Sequence, residues 1–313
     1  MVSPEIVLPV IVLFAALLVD RVLGDPHSAF HPVALLGRFI GWWGRPELFP
    51  PKVQRCAGVV FWLITVVLFA LPFYLVAKIA PWYLYLFLAP FLLKSCFAWR
   101  SLEEHTLAVV AALKDGVENG RDKVKLLVSR NTAQLERHHI LSAGYESMTE
   151  NLTDSIVSPL LFFSVFGLTG SAVYRAANTM DAMLGYRDER ERIGWCAARM
   201  DDLFNYIPAR ITTLLLFVYF TFCGRLSPAV RMMRRDGKNR PGFNGGIVMA
   251  AMAGGIGIQF EKPGVYTIGD SERTLDEAGP GIIRAARAVT LMVVILAVCT
   301  LFLLGALINS TGI

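Results

Sequence analysis

Four long apolar runs, at residues 6–23, 57–77, 79–99 and 288–308, constrain this chain more than any other feature. An α-helix rises about 1.5 Å per residue, so about 20 apolar residues cross the roughly 30 Å hydrocarbon core of a bilayer. No water is available there to satisfy the backbone, so continuous runs of this kind are read as helices. The expectation is an all-α, polytopic integral membrane protein with four firm spans. The run 6–23 is near the lower length limit, with Asp20 and Arg21 at its interface. A tight turn at Pro81 separates the second and third runs, and Trp82, Tyr83 and Tyr85 beside it suit an aromatic belt at headgroup level. Two further segments are ambiguous: 156–173, interrupted by Pro159 and two glycines, and 208–223, opened by Pro208. Each either spans or forms a broken or re-entrant helix packed inside protein. The run 244–258 is apolar but short, and its small residues suit close backbone packing against a neighbour or a ligand.

Hydrophobic residues make up 55% of the chain and charged ones 18%, too apolar for a soluble domain and too charged for purely lipid-facing helices. The reading is one membrane-embedded domain over 1–313, with polar loops at 24–56, 100–155, 174–207 and 224–287. The net charge of +5 comes without a basic tail, which argues against nucleic acid as a partner and leaves the lipid bilayer. Five scattered cysteines with no Cys-x-x-Cys pair read as small buried hydrophobes. Glu5, and no basic segment, precedes the first run, which reads as an uncleaved membrane helix. Lys and Arg concentrate in 24–56, 100–155 and 224–287, so the positive-inside rule places those loops in the cytoplasm and both termini outside. The Arg-rich loop 174–207 is placed on the cytoplasmic side too, although a six-span count would put it outside.

The polar residues cluster. Residues 19–45 (VDRVLGDPHSAFHPVALLGRFIGWWGR) hold Asp25 and His31 on the turns Gly24-Asp25-Pro26 and His31-Pro32. A carboxylate and an imidazole on rigid turns beside a membrane face suit metal binding or acid–base work. In YESMTENLTDS (145–155), Glu146, Glu150 and Asp154 recur every fourth residue and share one helix stripe, with Asn151 beside them. No Lys or Arg lies within that segment. The stripe is either a site for a hard cation such as Mg²⁺ or an acidic face paired with distant arginines. Upstream, VSRNTAQLERHH (128–139) offers Ser129, Arg130 and Asn131 for phosphate, or for capping; His138 and His139, being adjacent, point to different faces. YRAANTMDAMLGYRDER (174–190) sets Arg175, Asn178 and Asp181 three apart. ARMDDLFNYIPAR (198–210) pairs Arg199 with Asp202 and Asp201 with Asn205. Ionisable groups so near apolar runs mark function unless internal salt bridges absorb them. Phosphate-loop, dinucleotide-fold, nucleophile-elbow and His-Glu-x-x-His signatures are all missing from the sequence.

DRVLGDPHSAFHPVALLGRFI, SRNTAQL, YESMTENLTDSIVSPLLFF, YRAANTMDAMLGYRDER and MAAMAGGIGIQFEKPGVYTIGD occur in that order. Together they resemble the CobD/CbiB family of cobalamin biosynthesis, adenosylcobinamide-phosphate synthase. The resemblance implies amide-bond formation between adenosylcobyric acid and (R)-1-amino-2-propanol O-phosphate, or a similar amino-alcohol phosphate. It further implies ATP as co-substrate, Mg²⁺ as cofactor, a corrinoid as substrate, and residence in the cytoplasmic membrane. Other membrane enzymes of the corrinoid pathway are conceivable partners. On that reading Glu146, Glu150 and Asp154 hold Mg²⁺, Arg130, Arg175 or Arg199 clamps phosphate, and Asp25 or His31 accepts the amine proton. Ser129, Asn131, Asn178, Asp181, Asp202 and Asn244 complete the candidate binding set. One departure is that Gly242-Phe243 stand where the family has Ser-Pro ahead of Asn244. The competing reading is a non-enzymatic membrane protein, transporter-like or a sensor accessory, and broken helices with buried arginines would suit the former.

Overall fold

The computed structural model describes residues 4–25 and 31–311; Pro26 and His27 of the opening loop lie outside them. The chain is all-α apart from one hairpin. In order, its helices are α1 (Pro4–Leu23), α2 (Pro32–Trp43), α3 (Gln54–Ile79), α4 (Trp82–Lys94), α5 (Trp99–Ala112), α6 (Val117–Val124), α7 (Arg137–Leu152) and α8 (Ser158–Leu184). A π-helical turn, Thr153–Val157, joins α7 to α8. There follow α9 (Trp195–Phe204), α10 (Tyr206–Phe222), α11 (Leu226–Asp236), α12 (Gly245–Ile256), strands β1 (Gln259–Lys262) and β2 (Tyr266–Gly269), and α13 (Leu275–Thr311).

Among the described residues, four stretches of helix are long and apolar enough to cross a membrane: Gln54–Ile79, Trp82–Ala112, Arg137–Leu184 and Leu275–Leu307; the expected first span, 6–23, forms α1 but is not one of the four. Two of the ambiguous segments are thereby placed. Residues 156–173 fall inside Arg137–Leu184, and 208–223 coincide with α10, which meets the span criterion only together with α9. The break expected in 156–173 sits at Gly167, whose φ of 67° and ψ of −163° are not helical. Arg137–Leu184 is also the most enclosed, 61% of its apolar window being buried in protein against 28–39% for the other three. Phe14, Leu18, Leu63, Val67, Phe87, Ile295 and Leu303 face outward, as lipid contact requires. The cysteine reading needs correction: Cys96 and Cys196 are buried, but Cys56, Cys223 and Cys299 are exposed, and all five are free.

The chain divides into two compact units. The first comprises residues 1–98, 158–204 and 294–313. Its core joins Leu36, Ile40 and Trp43 of α2 and Trp62 of α3 to Ala176, Ala177 and Met180 of α8, with Ile193 and Cys196. Trp43 lies against the Phe61 ring with centroids 5.4 Å apart and donates its indole N–H to Thr65 at 3.1 Å. That bond satisfies the ring's polar end, which burial would otherwise penalise. Gly58 lets α3 close on the chain at Ile193, where a Cβ would stand 2.2 Å from a backbone carbonyl.

The second unit comprises residues 99–157 and 205–293. At its centre is α12, whose run Met249–Gly255 is wholly buried. The small side chains do the packing anticipated for 244–258. A Cβ on Gly254 would meet the Pro228 carbonyl of α11 at 2.5 Å, and one on Gly255 would meet the Phe220 ring of α10 at 2.2 Å. Gly257, at φ 80°, ends the helix with its N–H on the Ala253 carbonyl. The hairpin was not anticipated. Pro263 and Gly264 (φ 70°) close its turn, with the Val265 N–H on the Lys262 carbonyl at 2.9 Å. Asp236 ties α11 to β2, taking the Gly269 N–H at 2.8 Å and the Arg235 guanidinium at 2.7 and 2.8 Å.

Candidate functional site

In the second unit, α7 presents Glu146 and Glu150 to a cavity of about 310 Å³. The loop ahead of α7 contributes Ser129 and Arg130, the segment after α11 contributes Arg240, and the hairpin contributes Lys262 and Tyr266. Glu146 is held on three sides. The Ser142 hydroxyl donates to it at 2.5 Å and the Tyr266 phenol at 2.7 Å, while an Arg130 nitrogen stands 3.5 Å away. Ser142 in turn accepts the Glu261 N–H at 2.7 Å, so β1 fixes the rotamer of a residue on α7. Glu150 is ion-paired with Arg240. Burial, and then the negative charge of Glu146, holds the Tyr266 phenol well above its usual range, so it stays a proton donor.

Of the two readings of the acidic stripe, pairing with distant arginines holds for Glu146 and Glu150. Their partners come from residues 130 and 240, distant in sequence, which is why no neighbouring base foretold them. Asp154 belongs to the π turn and does not line the cavity, although its charge reaches Arg240. Among the described residues no group of three or more His, Cys, Asp and Glu side chains is placed to hold a metal ion. With Glu146 and Glu150 each engaged by an arginine, these residues do not fit a resident Mg²⁺. The unspent hydrogen-bond donors belong to positive groups. Three nitrogens of Arg130 are buried without a hydrogen-bond partner, and the Lys262 ammonium has no ion pair among the described residues.

The other candidates go elsewhere. Asn131 accepts the Ala133 N–H at 2.9 Å in a local turn, and Asn244 accepts Arg210 at 2.7 Å. His138 and His139, expected to diverge, both approach Glu261, at 3.9 and 3.6 Å. In the first unit, buried Lys94 stands 2.5 Å from Asp25 and 3.1 Å from buried Asp20. His31 is half-buried nearby, and burial, aided by Lys94 and Arg175 against Asp25, lowers its pKa below 6.5. Arg175 keeps a buried Nε without a hydrogen-bond partner. Asn178 donates to Asp201 at 3.2 Å, a link between α8 and α9. Arg199 stands exposed on α9; Asp181 and Asp202 lie on α8 and α9, each with partners of its own.

A family model described as CobD/CbiB protein matches residues 13–308. The chain belongs to the CobD/CbiB family. It is 44% identical over 253 residues to a probable cobalamin biosynthesis protein CobD of Thermococcus kodakarensis, covering 80% of this chain and 82% of the relative. A counterpart in Methanothermobacter thermautotrophicus is 38% identical over 267 residues (85% and 88%), and the cobalamin biosynthesis protein CobD of Dehalococcoides mccartyi 37% over 275 (85% and 88%). No solved structure matches. Lys94, Ser142, Arg240, Lys262 and Tyr266 escaped the sequence reading of this CobD/CbiB chain. For Lys262 and Tyr266 a signal existed, since both lie in the segment MAAMAGGIGIQFEKPGVYTIGD that carries the resemblance.

Proposed function

We propose that this CobD/CbiB protein joins adenosylcobyric acid to (R)-1-amino-2-propanol O-phosphate, or a similar amino-alcohol phosphate, with consumption of ATP, giving adenosylcobinamide phosphate. The observation that carries the reading is the buried, hydrogen-bond-deficient Arg130 guanidinium facing a polar cavity that also holds Lys262. Such groups are costly unless an anion completes them. ATP activates the corrinoid carboxylate as an acyl phosphate. The amine attacks its carbonyl, a C–N bond forms, the C–O bond to phosphate breaks, and inorganic phosphate leaves. Fixed cations stabilise the charge that gathers on the departing oxygen. Mg²⁺ enters as the counter-ion of the nucleotide phosphates. The positive-inside distribution supports a cavity facing the cytoplasm from the inner membrane, where other corrinoid-pathway membrane enzymes could hand on substrate.

The test is incubation of purified protein with adenosylcobyric acid, ATP, Mg²⁺ and aminopropanol phosphate, with mass spectrometry of the product. An ATP-dependent amide supports the reading, and unchanged substrate overturns it. The break at Gly167 would suit a transporter-like protein, and vesicle uptake of corrinoid without covalent change would favour that alternative.

A further inference from the structure

The reaction above involves two phosphate-bearing substrates, and the cavity in the second unit discriminates between them. At about 310 Å³ it lies at the small end of ligand sites, which run from about 300 to 1,000 Å³. Among the described residues Tyr266 is its one aromatic wall residue; it already donates to Glu146, and no aromatic face is stacked opposite to sandwich a nucleobase. Its charge is mixed. Arg130, Arg240 and Lys262 set against Glu146 and Glu150 leave one net positive charge.

Unspent bonding capacity is more specific than net charge. Both carboxylate oxygens of Glu146 accept hydroxyl donors, from Ser142 and from Tyr266. Arg240 is committed to Glu150. Arg130 retains donors on three nitrogens, and Lys262 retains its ammonium. Glu150, with four lone-pair sites and one arginine partner, keeps acceptor capacity toward the cavity. An occupant that completes this set carries a dianionic group for Arg130 and Lys262 and a cationic donor for Glu150, a short distance apart. Its net charge is one negative, matching the cavity's excess.

We infer that this cavity is the subsite for the small zwitterionic amino-alcohol phosphate. Arg130 and Lys262 hold its phosphate, and Glu150 receives its ammonium. The nucleotide and the corrinoid bind elsewhere. The inference rests on the proposed reaction for its choice of ligand, and on the cavity alone for its charge pattern.

The probes are O-phosphoethanolamine, inorganic phosphate and ethanolamine, titrated calorimetrically against the full chain in nanodiscs. O-phosphoethanolamine should bind more tightly than inorganic phosphate, and ethanolamine least. Arg130→Gln and Lys262→Gln should each weaken both phosphate ligands roughly ten-fold, the scale of one lost charge-assisted hydrogen bond. Glu150→Gln should weaken O-phosphoethanolamine while leaving inorganic phosphate unchanged or tighter. Equal loss of both overturns the ammonium assignment. In the coupled assay, the KM for amino-alcohol phosphate should rise in these variants while that for ATP holds. A shift in the ATP value alone would make this the nucleotide site. Amide formation by wild type with no change of either KM in the variants would sink the subsite and spare the reaction. Tight O-phosphoethanolamine binding without any amide product would do the reverse. If Arg130→Gln fails to fold, Lys262→Gln carries the same test, because among the described residues the Lys262 ammonium forms no hydrogen bond or ion pair and acts on Glu150 only through its charge.

Discussion

Lys94 is nearly inaccessible, yet its ammonium is surrounded by acceptors: Asp25, Asp20 and the Phe97 carbonyl at 3.2 Å. Removing one member of a buried ion cluster leaves uncompensated charge, at a cost of about 3–5 kcal/mol. Lys94→Ala is expected to lose stability on that scale in detergent unfolding, and a loss below about 1 kcal/mol would show that solvent or lipid headgroups replace the ammonium. His31 makes a second residue-scale prediction, about pH. Its pKa in the folded protein lies below 6.5, chiefly through burial. Between the folded and unfolded values the unfolded chain binds more protons, so stability is full above pH 6.5 and declines as pH falls below it. Arg175→Gln removes one of the charges that depress this pKa and should move the histidine NMR titration to higher pH. An unmoved titration would show that the Arg175 charge is screened from the ring.

At the scale of elements, two glycines illustrate different physics. Gly167 occupies a region of φ and ψ that L-residues rarely enter, yet a Cβ there would meet nothing within 4 Å. Gly167→Ala should therefore cost about 1–3 kcal/mol through backbone strain alone, and unfolding measurements should show it. Gly254 has ordinary helical geometry but sits 2.5 Å, Cβ to oxygen, from the Pro228 carbonyl. Gly254→Ala should cost about 1–3 kcal/mol through overpacking and push α12 off α11, read as faster hydrogen exchange over residues 226–256. Either variant at wild-type stability would refute its mechanism. The hairpin went unread because its four-residue strands lack the length for period-two alternation, leaving the Pro263-Gly264 turn as the only strong mark.

For the whole molecule, the positive-inside distribution predicts that the cavity side is cytoplasmic. On a background lacking the five native cysteines, Lys125→Cys should label with an impermeant maleimide only in inside-out vesicles. Lys78→Cys, at the turn between α3 and α4, should label only in right-side-out ones. The reverse pattern would invert the topology. The apolar runs alone determined the helical class, the membrane habit and the extents of α1 and α3, because backbone satisfaction in lipid leaves few alternatives to a run of that length; α13 instead begins at Leu275, inside the expected polar loop 224–287. Motif order sufficed for the family. What the sequence left open was pairing. Whether Glu146, Glu150 and Asp154 formed a metal stripe or an ion-paired face depended on Arg130, Arg240 and Tyr266, which approach only when the loop before α7, the segment after α11 and the hairpin close around one helix. Electrostatic partnership falls off over a few ångströms of space and is indifferent to separation along the chain, so only the tertiary structure decided it.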